Sequence, residues 1–218
     1  MYKGDRIVLE ISNLLDAKDF LIQKKVVVFD LDDTLYSEKE YVRSGYAQVA
    51  ENFKKIDEMQ DKLWSAFENK EPAINYVLEQ EGLLSAEAVS YCLNIYRKHR
   101  PNISLYPEAQ ELLLLLKESG VKLGIITDGR PEGQRAKIEA LQIEQYFEKI
   151  IITDELGGIE FRKPNTAAYE IMQKHFDVPY KDMVYVGDNF KKDFKAPQLL
   201  GMNSVYFKNT DGLYYIDI

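Results

Sequence analysis

The stretch VVVFDLDDTLY, residues 26–36, decides how the chain folds. It begins with a short apolar run of valines and a phenylalanine, which is typical of a strand buried on both faces of a parallel sheet. Asp30 follows this run directly, and Asp32 comes two residues later. Both carboxylates are therefore expected at the carboxyl edge of the strand, where open α/β sheets bind their ligands.

Taken alone, these carboxylates have an ordinary explanation. Asp favours turns and caps because its side chain bonds nearby backbone amides, so Asp30, Asp32 and Asp33 could simply shape a turn. A functional interpretation needs further polar residues at the ends of other strands.

Composition limits the kind of protein that this chain can be. Its 218 residues, 45% of them hydrophobic, suffice for one large domain or for a domain with a sizeable insertion. The longest aliphatic run, residues 112–116, is far shorter than the roughly 18 residues of a transmembrane helix. Residues 1–25 carry charges throughout and lack the apolar centre of a signal peptide. We predict a soluble cytoplasmic protein with no membrane partner.

Charge and cysteine content exclude two further classes. Cys92 is the only cysteine, which rules out intrachain disulfides and a zinc site built on several thiolates. The net charge of -8 argues against a nucleic-acid-binding surface, because phosphate backbones are held by clustered Lys and Arg. A small anionic substrate stays compatible with this charge, since a bound divalent cation can dominate the local electrostatics.

Strand and helix patterns alternate outside the middle of the chain, which predicts a doubly wound parallel sheet of the Rossmann-like α/β class. We predict five strands, and a helix over residues 5–22 before the first of them, with Asp5 as a possible cap. Ile7, Val8, Ile11, Leu14 and Leu15 recur in that helix at helical spacing. The predicted strands are 26–29, 121–127, 150–153, 183–186 and 204–207.

Residues 37–100 keep helical periodicity throughout, which indicates an all-helical domain inserted after the first strand. The chain would then consist of a catalytic core, residues 1–36 and 101–218, and a helical cap over 37–100. Pro72 and Gly82 separate helices in the insertion, and Ser85 is a favoured residue to cap the last of them. The predicted helices of the insertion are 38–55, 58–69, 72–80 and 85–98.

Four polar motifs fall at strand ends or in adjacent loops. They are Asp30 with Asp32, then Thr127-Asp128-Gly129, then Lys163-Pro164, and finally Gly187-Asp188 with Asp193. Each of the later three, taken singly, is an ordinary turn or loop. Together and in this order they resemble the haloacid dehalogenase superfamily of aspartate-nucleophile phosphotransferases, over residues 26–36 and 106–207. The helical insertion resembles the cap that many members carry.

The resemblance implies roles for the first two carboxylates. Asp30 would be the nucleophile that takes the phosphoryl group as an acyl phosphate, which splits one difficult hydrolysis into two steps. Asp32 would protonate the leaving oxygen and then activate the attacking water. Because a free Asp titrates at about 3.9, acid catalysis near neutrality requires an environment that raises the pKa of Asp32.

It also implies how phosphate and metal are bound. The Thr127 hydroxyl and the backbone amides of Asp128 and Gly129 would hold the phosphate, and Lys163 would neutralise its developing charge. Two carboxylates about 4 Å apart repel by about 4 kcal/mol at an effective dielectric of about 20, so a cation is required. Magnesium suits an all-oxygen site. Its ligands would be Asp30, Asp188 and the backbone carbonyl of Asp32, while Asp193 would either reach the ion through water or orient Lys163.

These residues favour a magnesium-dependent phosphatase that acts on a small phosphorylated metabolite, such as a sugar phosphate or nucleotide. Asp32 argues against dehalogenation, which needs no acid at this position, and against phosphonate cleavage, which uses a cap lysine. Tyr36 and Tyr41 are the predicted substrate contacts. A phosphomutase and a non-catalytic binding or regulatory protein of the same fold stay open as alternatives.

Overall fold

The computed structural model describes residues 7–215 and shows a parallel sheet in which every strand pair is parallel. The strands are β1 Ile7–Ile11, β2 Val26–Phe29, β3 Lys122–Thr127, β4 Lys149–Ile152, β5 Met183–Gly187 and β6 Asn203–Phe207. Their order across the sheet is β1-β6-β5-β2-β3-β4. The predicted doubly wound α/β architecture is confirmed, but the sheet has six strands where five were predicted.

Strand β2 lies in the middle of the sheet, and all of its residues are buried. Phe29 at its end is in register with Ile125 of β3 on one side and with Val186 of β5 on the other. The chain runs outward from β2 through β3 to β4, then crosses to β5 and runs outward to β6. The carboxyl end of β2 is therefore the point where the strand order reverses, which is where such sheets bind ligands.

The four helices predicted within residues 37–100 are confirmed to within a few residues at each end. The helices of the described chain are α1 Lys18–Leu21, α2 Glu38–Asn52, α3 Met59–Glu68, α4 Ala73–Gln80, α5 Ala86–Lys98, α6 Pro107–Glu118, α7 Pro131–Leu141, α8 Ala167–Phe176 and α9 Lys195–Leu200. Ser85 caps α5, as predicted, by accepting a 3.1 Å hydrogen bond from the amide of Ala88. Within residues 7–215, no helix combines the length and apolarity needed to cross a bilayer.

The N-terminal prediction was wrong in part. Instead of one helix over residues 5–22, the chain forms β1, a 3₁₀ turn at Leu14–Ala17 and the single turn α1. β1 pairs with β6 as an edge strand, and Ile11 is in register with Phe207. Backbone pairing with an available sheet edge outweighed a helical spacing that only five apolar residues supported. The predicted cap Asp5 lies outside the described residues.

The chain divides into two compact units. The first runs to Glu38 and resumes at Ser104, and the second comprises Lys39–Ile103, whereas the predicted boundaries were 36/37 and 100/101. The second unit contains only helices and has its own apolar core, in which Cys92 is fully buried. A unit with a separate core of this kind can fold around its own contacts. Its role as a cap stays a prediction.

Within the first unit, the segments that flank the second unit are joined to each other. Tyr36 forms an antiparallel bridge with Leu105, and the amide of Tyr106 donates a 2.9 Å hydrogen bond to the carbonyl of Leu35. The excursion of the chain between residues 38 and 104 therefore starts and ends at one place in the first unit.

The corrected N-terminus can be tested with two adjacent leucines. Leu14 is fully buried, whereas Leu15 is only partly buried. We expect Leu14→Ala to lower the free energy of unfolding by about 2–5 kcal/mol, as is usual for a core Leu→Ala change, and Leu15→Ala to cost clearly less. Urea unfolding of both variants measures this. Equal losses would indicate the single amphipathic helix, which uses both side chains.

Candidate active site

Three adjacent strands deliver polar residues to the same edge of the sheet. Asp30 follows β2, Thr127 ends β3, and Asp188 follows β5. Gly187 precedes Asp188 for a steric reason, because a Cβ atom at this position would lie 2.5 Å from Oδ2 of Asp193. The predicted strand-end residues are thus brought together, and Asp193 packs directly against the end of β5.

The centre of the site is a buried cluster of carboxylates. One oxygen from each of Asp30, Asp188 and Asp193 lies within 4.8 Å of the others, and all three residues are buried. Burial raises the pKa of Asp188 to about 9, and the charges of Asp30 and Asp193 add to this rise. Burial also raises the pKa of Asp30 to about 7, although the nearby Lys163 ammonium opposes the rise. The cluster therefore favours binding of a proton or a cation.

Lys163 lies inside this cluster and has no exposed side-chain surface. Its Nζ is 2.7 Å from Oδ1 of Asp30, 2.9 Å from Oδ1 of Asp193 and 2.9 Å from the Tyr185 hydroxyl, to which it donates. Burial opposes its charge, but Asp193 and Asp30 outweigh burial and raise the pKa of Lys163. Lys163 is therefore a cation that lies next to the predicted nucleophile. Asp193 contacts Lys163, as expected if its role is to orient this lysine, which is one of the two roles predicted for Asp193.

The donor set of the cluster fits a hard divalent cation. All three carboxylates offer oxygen atoms, which magnesium and calcium prefer. Oδ1 of Asp193 is buried and accepts no well-aligned hydrogen bond from the described residues, although Lys163 is close to it. Apart from a 3.2 Å bond from the Thr34 hydroxyl to Oδ1, Asp188 is surrounded chiefly by negative charge. A cation here would satisfy these oxygens and offset their repulsion.

Asp32 points into a different set of partners. Its Oδ1 lies 2.6 Å from Nζ of Lys137 and also accepts a hydrogen bond from the Tyr36 hydroxyl, while Oδ2 accepts a 2.9 Å bond from Gln134. Burial by itself raises the pKa of Asp32, but Lys137 together with the two hydrogen bonds outweighs burial and lowers it. Without substrate, this carboxyl group is therefore ionised, whereas the predicted acid role needs a proton on it.

Gln134 and Lys137 are site residues that the sequence did not reveal. Both are buried polar residues on α7, three positions apart, so they lie on one face of the helix. Gln134 also donates a hydrogen bond to the Thr127 hydroxyl, which links the end of β3 to Asp32. The signal available in the sequence was a polar pair at this spacing in the helix that follows the Thr127-Asp128-Gly129 motif.

The loop after β3 has the features expected of a phosphate-binding turn. The Thr127 hydroxyl accepts its hydrogen bond from Gln134, which leaves its own O–H to donate. Gly129 has φ of 138°, a conformation that side chains rarely adopt. The Asp128 carboxylate does not point away from the fold, since Oδ1 accepts bonds from the Thr153 hydroxyl at 2.9 Å and the Lys163 amide at 3.0 Å. Asp128 thus fastens two loops together.

The predicted substrate contacts occupy different surroundings. Tyr36 is fully buried, and its hydroxyl donates to Asp32. Tyr41 belongs to the helical unit, where its ring packs against the rings of Tyr96 and His99 with centroids 5.9 and 4.8 Å away. A direct role in substrate binding stays a prediction for both tyrosines.

A family model described as haloacid dehalogenase-like hydrolase matches residues 27–207. The chain belongs to this family. The match begins at β2 and ends at the last residue of β6, so it includes every strand-end motif of the site. The chain is accordingly a hydrolase of the haloacid dehalogenase-like type.

Several relatives of this chain are named for the phosphate ester on which they act. The glyceraldehyde 3-phosphate phosphatase of Pyrococcus abyssi is 30% identical over 200 residues, which cover 84% of this chain and 81% of the relative. The enzyme of the same name from Methanocaldococcus jannaschii is 30% identical over 198 residues, which cover 83% of each chain. A phosphoserine phosphatase from Thermus thermophilus is 28% identical over 137 residues, or 63% of this chain and 53% of the relative.

Solved structures of the family show the same fold. A haloacid dehalogenase-like hydrolase from Xanthomonas campestris has a TM-score of 0.57 at 18% identity, with 90% of this chain and 86% of that chain covered. A 2-haloacid dehalogenase from Pseudomonas syringae has a TM-score of 0.58 at 23% identity, with 84% and 86% covered. Because a dehalogenase is among them, the fold alone does not select the reaction.

The ion pair between Lys137 and Asp32 can be tested through stability. Lys137→Met leaves the largely buried Asp32 carboxylate without its cation, and we expect it to lower the free energy of unfolding at pH 7 by about 1–3 kcal/mol. The pKa of Asp32 is lowered in the folded state, so the stabilisation is present at neutral pH and disappears as the pH falls through that value. The difference between parent and variant should therefore shrink in acid.

Arg135→Met on the same helix is the matched control for this measurement. Arg135 pairs with Glu155 at 2.6 Å, but its side chain is 65% exposed, so removal should cost about 1 kcal/mol or less. Urea unfolding at pH 7 and at a pH below the usual Asp value of about 3.9 compares the two variants. A Lys137→Met loss no larger than the Arg135→Met loss would contradict the buried ion pair.

Proposed function

We propose that the protein is a magnesium-dependent phosphatase that hydrolyses a small phosphate monoester through an aspartyl-phosphate intermediate. The observation that carries the proposal is the position of Asp30, at the carboxyl end of the central strand, against Lys163 and beside Asp188 and Asp193. A nucleophilic carboxylate needs neighbouring cations to approach an anionic phosphate, and this arrangement provides one and has the oxygen ligands for another.

The reaction proceeds in two steps at Asp30. In the first, an Asp30 oxygen attacks phosphorus, and the bond to the leaving oxygen breaks as that oxygen takes a proton from Asp32. In the second, Asp32 removes a proton from water, which attacks the acyl phosphate and restores the Asp30 carboxylate. The ionised state of Asp32 in the free protein suits the second step. Substrate negative charge close to Asp32 raises its pKa and favours the proton that the first step needs.

Other residues hold the phosphoryl group during both steps. The Thr127 hydroxyl and the amides of Asp128 and Gly129 donate to its oxygens, and Lys163 keeps the nucleophile oriented. Asp30, Asp188 and Asp193 would hold the magnesium ion, together with the backbone carbonyl of Asp32. When bound, the ion neutralises charge on the carboxylates and on the transferring oxygens.

The substrate class follows from relatives and site together. The phosphatases to which the chain is similar act, by their names, on glyceraldehyde 3-phosphate and phosphoserine. Both compounds are phosphate monoesters on a three-carbon frame. We propose a compound of this size or a sugar phosphate or nucleotide as the substrate, and the cytoplasm, where such metabolites occur, as the location.

Phosphate release tests the proposal directly. With p-nitrophenyl phosphate, glyceraldehyde 3-phosphate, phosphoserine, sugar phosphates and nucleotides as the panel, we expect turnover that requires magnesium. Asp30→Asn should lower kcat by about three orders of magnitude or more, because it removes the nucleophile. Asp32→Asn should lower kcat by about 10²- to 10⁴-fold, and less for p-nitrophenyl phosphate, whose leaving group needs little protonation.

The same assay separates the alternatives. Surface variant Asp177→Asn is the control, because Asp177 is exposed and Asn tolerates its left-handed conformation at φ of 52°. Full activity of Asp30→Asn would refute the nucleophile. Transfer of phosphate within a sugar phosphate without release would identify a phosphomutase, and magnesium binding without any turnover would identify a binding protein.

The carboxylate cluster predicts how magnesium and pH affect stability. The pKa of Asp188 is raised to about 9 in the folded protein. The contribution of Asp188 to the free energy of unfolding is therefore most favourable below its pKa in the unfolded chain, near 4, and is lost as the pH rises towards 9. We therefore expect magnesium to raise the Tm of the parent more at pH 8 than at pH 5. Asp188→Asn removes one repelling charge and one ligand, so the metal-free variant should melt a few degrees higher at pH 8 and respond little to magnesium.

Thermal melting with and without magnesium at both pH values measures this effect. Asp177→Asn, which removes the same charge at the surface, should keep the magnesium response of the parent. An equal magnesium-induced rise of Tm in Asp188→Asn and the parent would exclude Asp188 as a ligand.

A further inference from the structure

Lys163 is enclosed by protein oxygens in the arrangement described. An ammonium group has three N–H donors, and three protein oxygens surround this one, from Asp30 at 2.7 Å, Asp193 at 2.9 Å and Tyr185 at 2.9 Å. Its side chain is fully enclosed. Lys163 therefore neutralises and orients the carboxylates, and a phosphoryl oxygen would have to displace one of these contacts to reach it.

A second lysine stands beside this cluster with a much looser set of contacts. Lys192 lies in the turn between β5 and α9, directly before Asp193. Its Nζ is 3.3 Å from Oδ2 of Asp128, the residue after Thr127 in the predicted phosphate-binding loop, and 5.8 Å from the centre of the Tyr214 ring. The side chain is 30% exposed, whereas that of Lys163 has no exposed surface.

The charges around Lys192 are those of the reacting centre. Next to burial, the strongest influences on its ammonium are repulsion by Lys163 and attraction by Asp30, Asp193 and Asp128. Lys192 also acts on the Asp30 carboxyl group. Two ammonium groups that repel each other beside one nucleophile leave a region suited to an anion, because an anion between them is attracted by both.

We infer that Lys192 binds the phosphoryl group of the substrate and supplies a charged donor to it, since the fully enclosed Lys163 is already held by three protein oxygens. The inference rests on the proposed phosphatase function and assigns one further contact within that site. Thr127 and the loop amides would bind the phosphoryl oxygens from the β3 side, and Lys192 would bind them from the β5 side. Asp128 holds the Lys192 side chain near this position until a phosphate with more charge competes for it.

Inorganic phosphate is the probe for this contact, because its binding does not depend on turnover. We expect Lys192→Gln to weaken binding of inorganic phosphate to the magnesium-loaded protein by about 10- to 100-fold, the usual cost of one hydrogen bond to a charged group. Isothermal titration measures this binding. In the phosphatase assay, kcat/KM for p-nitrophenyl phosphate should fall to a similar extent, and Lys192→Arg should recover most of both losses.

Lys191→Gln is the matched control. Lys191 is the exposed neighbour of Lys192, and its substitution changes the net charge equally. It should leave phosphate binding and kcat/KM within about twofold of the parent, as expected for a surface charge. Melting temperatures of all variants check that the fold is kept.

Two results would overturn the inference. Phosphate affinity in Lys192→Gln equal to that in Lys191→Gln would show that Lys192 does not contact the phosphoryl group. A loss confined to substrates that carry a second anionic group, such as phosphoserine, would place Lys192 on that group instead. Failure of the proposed phosphatase function gives a different result, because the parent would then release no phosphate from any compound of the panel. The titration with inorganic phosphate would still decide whether Lys192 binds a phosphoryl group.

Discussion

The site depends on holding several carboxylates close together with little access to water. At separations near 4 Å each pair of charges repels by about 4 kcal/mol at an effective dielectric of about 20, so the cluster opposes folding unless it is compensated. Lys163 supplies one positive charge inside the cluster, and the raised pKa values of Asp30 and Asp188 show that one lysine is insufficient. The fold thus keeps a local electrostatic cost at the residues for which we propose a cation site and an anionic substrate.

The sheet keeps this cluster together because the residues come from its most constrained strands. β2 is hydrogen-bonded on both sides and buried throughout, and the ends of β3 and β5 are fixed by register with it. Strand pairing therefore holds the backbone of Asp30 beside the end of β5, which Asp188 follows. The helix face of α7 adds a second network, in which Gln134 and Lys137 bind the Asp32 carboxylate. Asp30 and Asp32, the two predicted catalytic carboxylates, therefore have pKa values shifted in opposite directions although only one residue separates them.

Most of the fold could be predicted from sequence because its buried strands are short apolar runs between helices with clear periodicity. The exception is β1, whose few apolar residues fit a helix as well as an edge strand, and only the presence of β6 decides between them. The sequence also predicted that Asp30, Thr127 and Asp188 lie close together, because parallel strands place their carboxyl ends at one edge of the sheet. It did not predict that Lys137 and Lys192 lie near them. Lysines on a helix and in a turn are normally solvated, and only the tertiary structure shows that these two face carboxylates.

The paired segments around Leu35 and Leu105 have a consequence for how this chain can vary. They join the two segments of the first unit between which the helical unit is inserted, so the inserted residues form a closed loop with respect to the first unit. The entropy of loop closure grows only with the logarithm of length, at about 0.6 kcal/mol per doubling. An inserted unit of a different size would therefore change the stability of the sheet very little. The whole insertion is thus exchangeable without a change to the strands that carry the carboxylate cluster.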